Sequence, residues 1–94
     1  MPAYVLGDIH VTDHAKYETY VPRALASITQ YGGRVLAVSD NHELLEGGPP
    51  PARTVVIEFP NAAAAHRWYR SPEYQAALPI RLGSSQGRVF LIEG

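Results

Sequence analysis

The segment Arg53-Thr54-Val55-Val56-Ile57-Glu58-Phe59-Pro60-Asn61 decides how this chain folds. Its β-branched and aromatic residues read as a strand. Pro60 closes that strand because proline cannot extend a ladder, and Asn61 is a helix cap. Val55, Val56 and Ile57 stand at consecutive positions. Successive strand side chains point to opposite sides, so this strand offers apolar groups to both faces of its sheet. Val35 to Val38 and Val89 to Ile92 repeat the pattern.

Working outward, residues 3–11 read as a first strand. One face carries Tyr4, Leu6, Asp8 and His10; the other carries Ala3, Val5, Gly7, Ile9 and Val11. Thr12-Asp13 opens a helix whose stripe runs Tyr17, Tyr20, Val21, Ala24, Leu25, Ile28, Tyr31. Lys16, Glu18, Thr19, Arg23, Ser27 and Gln30 take its other faces. Pro22 should kink it, and Gly32 suits the left-handed position after its end. Arg34–Ser39 is a second strand, His42–Glu46 an extended arm, and 47–51 a Gly/Pro loop. After the third strand come a helix over 62–70 and a new helix start at Ser71-Pro72-Glu73, running to about Leu82. Residues 83–87 read as a loop and Arg88–Glu93 as the last strand. The order βαββαβ predicts an α+β, ferredoxin-like domain spanning 1–94, with both helical layers on one face of an antiparallel sheet. The expected spatial order is last, first, third, second strand.

The chain has 94 residues, enough for one core, with 46% hydrophobic and 18% charged residues, which excludes disorder. Seven of the eight basic residues are scattered arginines and the net charge is -1, so no nucleic-acid footprint is expected. There is no Cys, which removes disulfides and thiol catalysis. No apolar run exceeds four residues, so neither a membrane span nor a signal-peptide core is expected, and the cytoplasm is the default location. Helices can cover only one of two apolar sheet faces. The other would be a patch larger than monomers tolerate. The sequence therefore predicts a homodimer, joined by the open sheet faces of two copies into a barrel-like core.

Gly32-Gly33-Arg34, Glu46-Gly47, residues 55–60 and above all Trp68-Tyr69-Arg70-Ser71-Pro72-Glu73-Tyr74 resemble the family called domain of unknown function 1330. The resemblance runs from Tyr4 to Gly94. It implies the dimeric α/β-barrel superfamily, which includes cofactor-independent monooxygenases, isomerases, haem-binding enzymes and members without known chemistry. The family itself has no established reaction. Where family members often carry Arg-Gly after the second strand, this chain has Val38-Ser39.

Several residues could carry chemistry. Asp8 and His10 share a strand face, and an acid beside an imidazole can orient a general base. Their spacing of about 7 Å is too long for a reliable direct bond, and the alternative is that they flank the dimer interface or meet solvent near the strand end. Arg34 and Glu58 should meet across strands, either as a structural ion pair or as a ligand clamp. Glu46 either reaches a pocket or ends the arm at the surface. Tyr17, Tyr20, Trp68, Tyr69 and Tyr74 either pack the core or line a cleft, with Gly7 leaving room and Arg81 a cation at its mouth. His42 and Glu46 lie about 13 Å apart, and His10 with His14 lacks a third ligand, so no metal site is expected. The glycine pairs lack phosphate-loop context, so no nucleotide cofactor is expected. His66 should face solvent. Two functions follow. One is a metal- and nucleotide-independent enzyme acting on a small organic molecule, by proton abstraction or cofactor-free oxygenation. Its base would be His10 or a carboxylate, with Tyr17, Arg34, Glu46, Glu58, Trp68, Tyr69 and Arg81 binding substrate. The other is a ligand-binding or stress-associated dimer without turnover.

Overall fold

Seven elements follow one another in the computed structural model, which describes Met1–Gly94. They are β1 (Ala3–Val11), α1 (His14–Gln30), β2 (Arg34–Ser39), β3 (Thr54–Phe59), α2 (Ala62–Arg70), α3 (Pro72–Leu82) and β4 (Ser85–Glu93). The sheet order is β2-β3-β1-β4 and every neighbouring pair is antiparallel. This is the ferredoxin-like α+β arrangement. Each helix starts where a side-chain oxygen can replace a missing backbone acceptor. Asp13 Oδ1 accepts from Lys16 N at 3.1 Å, Asn61 Oδ1 from Ala64 N at 2.8 Å, and Ser71 Oγ from Tyr74 N at 3.1 Å. Gly32, at φ +84°, turns the chain out of α1.

The odd-numbered face of β1 is the inner one. Ala3, Val5 and Ile9 are buried there beneath the helices, together with Ile57 and Phe59 of β3. Trp68 and Tyr74 close the core from above, with Trp68 Nε1 donating to Ser27 Oγ at 3.0 Å. Ser27, expected on an outer face of α1, is in fact buried; it holds the indole and donates to the Ala24 carbonyl at 2.7 Å.

Three boundaries differ from expectation. β4 starts at Ser85 rather than Arg88, because β1 is long enough to pair Val11 with Ser85 and Ile9 with Gly87. Thr54, not Arg53, begins β3. His42–Glu46 forms no strand; His42 instead bonds the Asp40 carbonyl and Thr54 Oγ1, at 3.2 and 2.8 Å, which folds the arm back. α1 passes through Pro22 as a single helix. The bond that proline forfeits is the one to Glu18, on the exposed side. No helix is long and apolar enough to cross a membrane.

Candidate functional site

Between α1 and the inner sheet face lies a cavity of about 110 Å³. Its floor is β1 and β3, and its roof is α1 with Trp68 of α2 and Tyr74 of α3. Gly7, in the middle of β1, leaves part of the space: a Cβ there would meet nothing nearer than 3.4 Å. Fifteen of the eighteen lining residues are hydrophobic, the exceptions being Gly7, Arg53 and Arg81. Val21, Leu25 and Val38 line it too, yet are 37%, 45% and 56% exposed, so they mark an apolar mouth between α1 and the edge strand β2.

The polar groups converge from three elements. Tyr20 and Tyr74 bond hydroxyl to hydroxyl at 2.8 Å. Burial and the neighbouring Tyr74 push the Tyr20 phenol far above its ordinary pKa. Tyr17 is raised too, chiefly by burial, with Arg53 opposing. Both stay protonated near neutrality and so do not serve as bases there. Arg53 sits over the Tyr17 ring, 5.5 Å from its centroid, and is clasped by Asp40 through Nε at 2.7 Å and Nη2 at 3.1 Å. That guanidinium is already neutralised. Arg81 is not: it is 7% exposed, takes part in neither ion pair of the chain, and its Nε has no hydrogen-bond partner. Burial works against its charge, but the hydroxyls of Tyr74 and Tyr20 beside it hold its pKa above the ordinary value. No His, Asp or Glu lines the cavity.

Of the residues singled out by sequence, Gly7, Tyr17, Tyr20, Trp68, Tyr74 and Arg81 line this cavity. Arg81 sits deep rather than at the mouth. Asp8 is half-buried and His10 exposed. They lie on the even-numbered, open face, in a shallow polar depression beside Gln86 and Arg88. The pleat of β1 separates them from the cavity. Arg34 Nε and Glu58 Oε1 do meet, at 2.7 Å, on that same open face. Glu46 is exposed in the loop after β2. Tyr69 is 39% exposed and packs against Trp68 and Tyr74 from outside. His66 faces solvent. No three His, Asp or Glu side chains converge as metal ligands would. Arg53 is the lining residue that the sequence reading passed over. The signal was present: Arg53 is in phase with Ile57 and Phe59, which are buried.

The profile of the family described as domain of unknown function DUF1330 matches residues 2–94. The chain belongs to the DUF1330 family. Among solved structures, the DUF1330 chain resembles RPA0582, a protein of unknown function from Rhodopseudomonas palustris. That match has 18% identity, TM-score 0.83, and covers 99% of this chain and 82% of that one. It also resembles a dimeric ferredoxin-like protein of unknown function from Jannaschia, at 12% identity, TM-score 0.76 and full coverage of both chains. SnoaB, a cofactor-independent oxygenase from Streptomyces nogalater, matches at 14% identity and TM-score 0.74 over 99% of this chain and 92% of that one. At such identities the likeness carries the fold. No curated protein matches the sequence.

Proposed function

We propose that this DUF1330 protein is a homodimer that binds a small, largely apolar organic molecule in the cavity between α1 and the sheet. The observation that carries the reading is the cavity wall: fifteen hydrophobic residues with a few polar groups converging from separate elements. A preformed apolar pocket with sparse, placed polar groups is the usual form of a small-molecule site. For scale, an engineered apolar cavity of about 150 Å³ takes up benzene. Joining the open sheet faces of two copies leaves the cavity and its mouth outside the interface. A cytoplasmic location is part of this proposal.

Trp68 is the chain's only tryptophan and lines the cavity, so its emission reports occupancy. Titration with alcohols from 1-butanol to 1-hexanol should give a saturable change. Gly7→Val, which fills the cavity from the floor, should abolish it while leaving the melting temperature intact. Emission that never saturates, or that saturates equally in Gly7→Val, would remove the reading.

Turnover is the second reading, and Arg81 is what favours it, since a buried cation can stabilise a developing oxyanion. The fold shared with SnoaB is compatible with oxygenation that needs no cofactor. The cavity offers no protein base, and Asp8 and His10 face away from it, so proton abstraction by either would have to occur on the open face.

A further inference from the structure

We infer that the cavity is built for a ligand with one anionic oxygen group, a carboxylate or enolate, seated on Arg81 with its apolar body toward Val21, Leu25 and Val38. This inference rests on the proposed binding role of the cavity and adds the class of ligand. Arg81 Nε is the one buried side-chain polar atom in the chain without a hydrogen-bond partner. Buried polar atoms are almost always satisfied, and a buried guanidinium without a carboxylate is costly. Arg81 is more than nine-tenths buried in the wall of a cavity that contains no acid. The second lining arginine is spoken for, because Asp40 grips it through two hydrogen bonds. One net positive charge therefore faces the space. The hydroxyls of Tyr20 and Tyr74, 2.8 Å apart and beside Arg81, bond each other and leave one O–H free to donate to an oxyanion.

Topology sets the ligand's direction. Arg81 belongs to α3, which packs on α1 and on the edge strand β4. Val38 belongs to β2, the opposite edge. The cation and the apolar mouth thus stand at opposite ends, matching a molecule polar at one end and apolar at the other.

The test compares hexanoate with 1-hexanol, two probes alike in body and different in charge, by Trp68 emission at neutral pH. The wild-type protein should bind hexanoate about tenfold more tightly or better, the gain expected when a charge-assisted bond replaces a neutral one. Arg81→Gln should erase that preference while still binding 1-hexanol. Arg81→Lys, which keeps the charge in a smaller head, should keep part of it. The wild-type comparison needs no variant and stands even if both substitutions unfold the chain. Equal affinity for the two probes would overturn the anion assignment and leave the binding role intact, with Arg81 satisfied by water. Failure of both probes to bind would overturn the binding role as well.

Discussion

Ser27 follows Tyr20 by seven residues and Ala24 by three, which puts it on the buried side of α1 at 1% exposure, where it gives the Trp68 indole an acceptor inside the core. Ser27→Ala would strand that N–H, and an unsatisfied buried donor costs about 1–3 kcal/mol. In a domain of this size each kcal/mol lowers the melting temperature by roughly 4–8 °C. Calorimetry should therefore show a clear drop; an unchanged melting temperature would mean the indole finds another partner. Gly33 is held by space alone. A Cβ there would stand 2.6 Å from the Phe59 ring and 2.9 Å from Ile28. The phase of the chain announces the arginines of the cavity: Arg53 keeps step with Ile57 and Phe59, and Arg81 follows Tyr74 by seven residues and Ala77 by four. Their burial could thus be read from spacing. The lack of a counter-ion for Arg81 could not, because it depends on where the nine acidic residues end up in space.

Elements were legible where a local rule set both ends. α2 and α3 start at Asn61 and Ser71 and run over the expected residues. The start of β4 was not legible, since Ser85-Gln86-Gly87 has loop composition and becomes strand only because β1 presents unpaired backbone to it. Gly87, at φ +147°, passes so close to the Asp8 carbonyl that no side chain fits. The arm after β2 likewise owes its course to tertiary contacts, namely His42 on Thr54 and the clasp of Asp40 on Arg53. The cavity is an element-scale feature too, set by how far α1 stands off the sheet, which no local pattern encodes. The clasp has a pH signature. The Arg53 hydrogen bond holds the Asp40 carboxyl below its ordinary pKa of 3.8. A depressed acid stabilises the fold above its unfolded pKa, and that contribution fades as pH falls through the folded value. The loop should thus stay closed at neutral pH and loosen only below about pH 3.8. Carbon-13 NMR of the Asp40 carboxyl should place its midpoint below 3.8. Arg53→Gln should return it to the ordinary value, whereas an undisturbed midpoint in that variant would show that Arg53 is not the cause.

The whole molecule is a slab of 33 × 32 × 16 Å, a sheet with helices on one side only. Its bare side is not polar. Leu6 and Val56 lie at the centre, with Leu36, Phe90 and Ile92 beside them at 45–47% exposure. Polar groups ring this centre, Arg34 and Glu58 at one end and Asp8, Arg88 and His10 at the other. An apolar middle with a polar rim is the anatomy of a subunit interface. The two-sided apolar strands already required a cover for this face. Which polar residues would form the rim depended on strand register, since a slip of one residue exchanges the faces. In the proposed dimer Asp8 and His10 would stand on that rim. Light scattering at micromolar concentration tests this most directly. The account predicts a particle of twice the chain's 10.3 kDa, falling to one chain when Leu6→Asp places a charge in the middle of the bare face. A wild-type particle of 10.3 kDa, with that face left to water, would contradict it.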